Sequence, residues 1–436
     1  MIVWCRLESG QSPPSAPSGL EPNEMSTAFI VDAARTPRGI GKPGRGALSE
    51  IHPQRLLGSV LAALRDRNDL ETADVDDVVI GCSSQVGKQG SCIGRMGVLD
   101  AGWDTAAPAF TLDRFCGSGI TAVNLAAANI MCGMSDLVVA GGVEMMSYTG
   151  SMKPTGGPAT MDKGNLHLRA LHPQPHQGIC ADMIATLDGI GRKEVDELGC
   201  ESQRRAQIAI KDGRFDKSLV PVHHESGELA LAADEFPRPG TTLETLAELK
   251  TVFNQFMDMP IDDDGETFAQ LVARSYPDLE INHVHHAGNS SGVVDGAAGL
   301  VLASEDYLAK SGMKARARIV AMATTAGSPT LMLNEPGPAA RKVCEKAGMS
   351  LDDIDLFEVN EAFAVVAYKF MRDLAIDPEK VNVNGGAIAL GHPIAATGAM
   401  LIGTALDELE RRGDSTALIT MCTGGGMAPA VIIERV

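Results

Sequence analysis

The sequence predicts an α/β fold made by duplicating one strand–helix unit, and three observations carry that expectation. The chain has 436 residues, too many for one ordinary domain. Its 47 glycines beside only 4% aromatics call for tight turns and close backbone contacts, as in a layered α/β enzyme. Short apolar runs alternate with helical periodicity, and the same order of parts occurs twice.

In chain order, residues 1–24 lack the apolar stretch of a signal peptide and carry one Arg against three Glu, the wrong balance for a mitochondrial presequence. They read as a disordered tail, or as a start placed too early, because Met25 precedes the strand-like AFIVDAARTP. Ile51–Arg67 shows helical periodicity, Val75–Gly81 is a short β run, Gly119–Met131 is an Ala-rich helix and Asp136–Gly142 a buried strand. Ile354–Val359, Ala395–Glu408 and Ser415–Thr420 repeat the β run, the Ala-rich helix and the second strand. Before each Ala-rich helix stands a reactive side chain, Cys116 in the first half and His392 in the second. Ile80 precedes Cys116 by 36 residues and Glu358 precedes His392 by 34. Such agreement predicts two halves, 25–300 and 301–436, whose reactive turns meet across a pseudo-twofold axis. Residues of about 147–280 have no counterpart, are rich in Pro, His and charge, and read as an insertion in the first half.

Charge and cysteine usage exclude several function classes. With 37 Lys+Arg against 56 Asp+Glu the net charge is −19, so a nucleic-acid binder is not expected, and an anionic ligand must find a local basic patch. Apolar stretches break well before the ~18–20 residues that cross a bilayer. Nine cysteines without a C-x-x-C pair argue against a disulfide scaffold or zinc ribbon and read as reduced thiols of a cytoplasmic protein.

Four strings carry the chemistry. Asp113–Gly119 (DRFCGSG) puts Cys116 at a Gly-rich turn opening a helix, where the helix field and free N–H groups favour a thiolate and can hold an oxyanion. A small residue packed at a tight turn would look the same. Asn384–Pro393 (NGGAIALGHP) keeps bulk away from the His392 imidazole; a lone His is usually structural, but this one occupies the counterpart of the Cys116 turn. Met421–Met427 (MCTGGGM) ends an apolar strand with Cys422 and bare glycine N–H groups, and Val359–Ala364 (VNEAFA) sets polar side chains at another strand end, where α/β sheets bind ligands.

Together these strings resemble the thiolase family, over essentially all of residues 27–436 and including ARTP (Ala34–Pro37) and AGNSSGVVDGAA (Ala287–Ala298). The resemblance implies the thiolase fold: two βαβ-rich halves in αβαβα layers with a loop domain inserted in the first. It implies acyl transfer between coenzyme A thioesters, by thiolytic cleavage of a 3-oxoacyl-CoA or the reverse Claisen condensation, as in fatty acid β-oxidation. It makes Cys116 the acylated nucleophile, His392 its base, and Cys422 the acid and base at the substrate α-carbon. Asn360, through a water, and His392 would hold the thioester oxygen, while the N–H groups of Cys116 and Gly424 would hold the acyl-enzyme carbonyl. His176, Ser291 and Phe363 would line the pantetheine tunnel; a surface His in a Pro-rich loop and an ordinary turn Ser are the plainer readings of the first two. No metal and no permanently bound cofactor is implied, coenzyme A and acyl-CoA being substrates, and a homodimer or homotetramer is expected. A ketoacyl-synthase-like enzyme or a non-catalytic acyl-CoA- or lipid-binding relative are the alternatives; the Cys116–Cys422 pair with NEAFA argues against the first, and retention of all three reactive residues against the second.

Other features are expected to be inert. Gly39–Gly44 spells G-x-G-x-x-G, but Pro43 and the delayed helix disfavour a dinucleotide site. The run His283, His285, His286 is set aside as a metal site because no carboxylate stands at ligand spacing. The acidic run Asp262–Glu266 reads as a solvated loop. Arg192, Lys193, Arg204, Arg205, Lys211, Arg214 and Lys217 are the best local cations for phosphates, and none is singled out as a ligand. Ala395 stands where the family commonly has glycine, an extra methyl that could trim substrate space.

Overall fold

A computed structural model describes residues 26–152, 160–262 and 265–436. The opening tail, Met25, and Asp263 and Asp264 of the acidic run lie outside the described residues.

The first half runs β1 (Ala28–Arg35), α1 (Pro53–Asn68), β2 (Asp77–Gly81), α2 (Ile93–Asp100), β3 (Phe110–Leu112), α3 (Ser118–Met131) and β4 (Leu137–Met145). The chain then leaves the sheet for the insertion, which includes α4 (Gln177–Leu187) and α5 (Arg192–Lys211), and returns with β5 (Val294–Ser304). The second half has β6 (Ala317–Ala326), α6 (Pro336–Ala347), β7 (Leu356–Val359), α7 (Ala364–Leu374), α8 (Ile394–Arg412), β8 (Thr416–Thr420) and β9 (Met427–Arg435). β5 carries first-half pairing through to Ser304, past the expected division at 300.

Pairing reveals the duplication directly. In the first half the order is β3–β2–β4–β5–β1, parallel across the first two pairings and antiparallel across the last two. In the second, a parallel bridge from Val381 to Phe357 is followed by β7–β8–β9–β6, with the same change from parallel to antiparallel. The halves join where β1 meets β6, Phe29 opposite Arg318 and Ile30 opposite Ala317.

Helices divide the halves into layers. α3 and α8 touch each other and strands of both halves, so they form a middle layer with Ile120, Val123, Met400, Ile402 and Leu406 in its core. α1 covers the outer face of the first half, burying Leu56, Leu57, Val60, Leu61 and Leu64 at helical spacing. α6 covers the second with Ala339, Ala340, Val343 and Cys344. The result is the expected αβαβα stack.

Glycine sets how closely the middle helices approach. A Cβ at Gly119 would lie 2.7 Å from the Ala395 carbonyl oxygen, and one at Gly398 would lie 2.4 Å from the Ile120 nitrogen. Ala395 is wholly buried, its carbonyl against Gly119 and Gly142, within the helix layer. Gly398→Ala is expected to destabilise the protein by about 1–3 kcal/mol, because backbone must move to admit the methyl; denaturant midpoints at unchanged slope measure it, and an unchanged midpoint would contradict the close crossing.

Candidate active site

The Cys116 turn is held by its own polar groups. Ser118 Oγ donates to the Phe115 carbonyl at 2.7 Å and accepts from Arg114 N at 2.8 Å, while Asp113 Oδ1 accepts from Phe115 N at 2.6 Å. Phe115 has φ of 49°, a left-handed conformation costly for a large L-residue. The strain sits on the residue just before the reactive thiol. A Cβ on Gly117 would meet Thr423 Cγ2 at 2.6 Å, so the absence of a side chain there lets the turn pack against the CTGGG strand end.

That strand end supplies the second thiol and a backbone donor. Cys422 follows β8, and Gly425 and Gly426 both adopt φ of 75°, which glycine tolerates without strain. The N–H groups of Cys116 and Gly424 both act on the Cys116 sulfur, and Cys116 in turn acts on the Cys422 thiol. Cys116 is 7% exposed and Cys422 1%. Burial pushes the Cys116 thiol up to about 12, with the Glu144 and Asp113 charges adding to it and the two N–H groups opposing it. Cys422 is raised as well, by burial and then by the neighbouring thiol.

His392 and Asn360 complete the group. β7 and β8 run parallel, so Asn360 emerges beside the Cys422 strand, its N–H on the Thr420 carbonyl at 3.2 Å. The His392 N–H reaches the Gly292 carbonyl at 2.8 Å, Nδ1 meets Thr397 Oγ1 at 2.6 Å, and Nε2 faces Asn360 Nδ2 at 3.5 Å. Asn360 Oδ1 is buried without a hydrogen-bond partner among the described residues, which suits a water-binding role. Burial, reinforced by the charge of Arg38, pulls the imidazole down to about 3. Burial thus acts on all three groups against their charged forms.

Glu361 of the NEAFA string acts as a clamp. It accepts from Ser202 Oγ (2.7 Å), Asn382 Nδ2 (3.0 Å) and Ile388 N (3.2 Å), tying α5 to the segment that leads into His392. A Cβ on Gly386 would strike this carboxylate at 2.2 Å.

Ser291 donates its N–H to the Ala362 carbonyl at 3.0 Å, which seats it beside Phe363. Phe363, Cys422, Phe253 and Met161 share one apolar cluster. His176 is exposed and caps α4, its Nδ1 accepting from Gly178 N at 3.1 Å. Its ring stacks on Phe253, which stands edge-on to Phe363, so the expected tunnel residues form one aromatic row.

Several expectations change. Carboxylates do join the His283–His286 run: Asp182 bonds His283 at 2.6 Å and His285 at 2.7 Å, and Asp196 bonds His286 at 2.8 Å. These aspartates come from α4 and α5, beyond the reach of spacing arguments; no metal-holding group of three or more His, Cys, Asp or Glu occurs among the described residues. The acidic run is not simply solvated, because Asp262 and Glu266 pair with the buried Arg169, which Asp162 also holds. Most of the named cations are engaged, Arg192 with Asp196, Lys193 with Glu197, Arg204 and Arg205 with Glu201, Arg214 with Asp212 and Lys217 with Glu410. Arg238 stays exposed, stacked on the Phe236 ring that covers Gly292 beside Ser291. Gly39 and Ile40 of the G-x-G-x-x-G run pair with Asp295 and Val294, and no helix opens until Pro53.

The family models described as the thiolase N-terminal domain and the thiolase C-terminal domain match residues 28–256 and 313–435. The chain belongs to the thiolase family. It is 39% identical to a beta-ketoadipyl-CoA thiolase of Acinetobacter baylyi, over 94% of this chain and 100% of that protein. It is 38% identical to the steroid 3-ketoacyl-CoA thiolase FadA6 of Mycobacterium tuberculosis, over 94% and 95%. The crystal structure of the Bacillus anthracis acetyl-CoA acetyltransferase superposes with a TM-score of 0.79 at 33% identity, covering 95% of this chain and all of that one. The protein is thus a thiolase-type acyltransferase acting between coenzyme A thioesters. No helix among the described residues is long and apolar enough to cross a membrane.

Two residues near this thiolase's centre escaped sequence reasoning. Met161, whose Cε would lie 2.7 Å from a Cβ on Gly424, comes from the insertion and carries no motif. Thr397 holds the His392 ring from one turn into α8; its place at a helix start after a histidine is a signal that could have been weighed. Thr397→Val is expected to lower thiolysis kcat by about 5- to 150-fold, the equivalent of the ~1–3 kcal/mol for an unpartnered buried polar atom. KM should change little and Thr397→Ser should restore most activity; equal kcat for Thr397→Val and wild type would contradict the positioning.

Proposed function

We propose that Cys116, His392, Cys422, Asn360 and the Gly424 N–H carry out thiolysis of a 3-oxoacyl-CoA, and its reverse, through a Cys116 acyl-enzyme. The observation that supports this most is the close crossing of the helix starts that carry Cys116 and His392, with Cys422 and two N–H groups acting around the first and Asn360 facing the imidazole of the second.

With Nδ1–H donating to Thr397, Nε2 of His392 is free to accept the Cys116 proton. The sulfur attacks the 3-oxo carbonyl, and the negative charge forming on oxygen meets the Cys116 and Gly424 N–H groups. Collapse breaks the α–β carbon bond and expels the acetyl-CoA enolate. Its oxygen is held by the protonated His392 and the water on Asn360, and Cys422 delivers a proton to its carbon. Coenzyme A then gives its thiol proton to the Cys422 thiolate and attacks the thioester. Cys116 leaves and recovers its proton from His392, so acids and bases return to their starting state. His176, Ser291 and Phe363 guide the pantetheine arm to this point.

The finer points belong to the same reading. Eight cysteines, all free among the described residues, suit a reducing compartment, and we assign the protein to the cytoplasm. β3 is paired on one side only and leaves Phe110 exposed, an edge suited to a second copy of the chain, so we infer a homodimer or a homotetramer built from dimers.

Intact-mass spectrometry after exposure to acetyl-CoA tests the roles. Cys116→Ala should form no acetyl-enzyme, and persistent labelling at another cysteine would refute the nucleophile. Cys422→Ser should still acetylate while cleavage of acetoacetyl-CoA falls by about two orders of magnitude or more; equal losses in both steps would refute its separate role.

A further inference from the structure

Two buried ionisable residues, Arg38 and Glu358, take no part in the reaction above. Nε and Nη1 of Arg38 and both carboxyl oxygens of Glu358 are buried with no hydrogen-bond partner among the described residues. Arg38 and Glu358 are 2% and 0% exposed. Chain path brings Arg38 to the site: Gly39 and Ile40 pair with Asp295 and Val294, Val294 closes on Gly391, and His392 N donates to Gly292 O. Glu358 lies on β7 two residues before Asn360. Arg38 N donates to Asp234 Oδ1 at 2.8 Å, and its guanidinium stands 3.8 Å from that carboxylate.

We propose that Arg38 is a positioning residue of the catalytic centre, whose buried charge, partnered by Asp234, keeps His392 neutral between turnovers so that Cys116 rests as a thiol. This rests on the roles given above to Cys116 and His392. A cation in a dry site opposes formation of an imidazolium beside it. Without it, a Cys–His pair can settle as thiolate and imidazolium, open to any passing electrophile. Burial acts on Arg38 first, then Arg35 of like sign and Asp234 of opposite sign, whereas burial, Glu361 and Glu408 push Glu358 well above the usual carboxylate range, so it offers Arg38 little counter-charge. His392 feels burial and Arg38, with neutral partners Thr397 and Asn360 on its two nitrogens. Cys116 faces Glu144 and Asp113, which also oppose a thiolate.

Alkylation of the full-length, substrate-free protein by iodoacetamide tests this, with intact mass and peptide mapping from about pH 5 to about pH 10. In wild type the Cys116 rate should climb with pH, with no plateau near neutrality; a neutral plateau overturns the proposal without any variant. Arg38→Met should raise the rate at neutral pH by about tenfold or more, one unit of imidazole basicity, and Arg38→Lys should keep the slow profile. Glu358→Gln should alkylate no faster than wild type, since it leaves the Arg38 charge in place. A folded Arg38→Met matching wild type, or a Glu358→Gln accelerated like Arg38→Met, overturns the proposal. Should Arg38→Met fail to fold, the wild-type profile and Glu358→Gln decide. A label on another cysteine removes the nucleophile reading and this proposal with it, whereas labelled Cys116 with a flat Arg38→Met response removes the proposal alone.

Discussion

The catalytic centre depends on how closely two helix starts can approach. Cys116 stands two residues before α3 and His392 two before α8, and these helices form the layer between the two halves of the sheet. Their backbones can touch because Gly119 and Gly398 carry no Cβ at the crossing. Around that contact the middle layer is filled with Ile120, Val123, Met400 and Ile402, so neither reactive turn can shift without unpacking the interior. Fold stability and active-site geometry are therefore one constraint.

Burial at this crossing determines the resting chemistry. Removing water pushes the thiols up and the imidazole down, which favours protons on sulfur. In the proposed reaction the N–H groups of Cys116 and Gly424 matter most when an oxyanion forms, since a fixed donor needs no reorganisation at that moment. Strain at Phe115 and the paired left-handed glycines after Gly424 are the backbone cost of aiming these groups at one point.

The insertion was the least legible part of the chain. Apart from α4 and α5 its elements are short and its polar residues abundant, so periodicity finds little there. Its order rests on ion pairs between distant segments, Arg169 with Asp162, Asp262 and Glu266, and Asp182 with His283 and His285. Asp262, Glu266 and Asp182 look solvated in sequence because their partners lie roughly a hundred residues away along the chain. Met161 beside Gly424 shows the same limit for an apolar residue.

Local pattern alone determined the duplication, the strand and helix types, and the reactive turns at Cys116 and His392, because pleat and helix periods and glycine turns are short-range properties. NEAFA, GHP and C-x-GGG further tied Asn360, His392, Cys422 and Gly424 to thiolase chemistry. Only the tertiary structure decided that Cys116 acts on the Cys422 thiol, that Glu361 is a clamp, and that Arg38 acts on His392 from a buried position. Those relations are made by strand order and helix crossing, which join residues tens to hundreds of positions apart, and they act through burial and charge that no local spacing records.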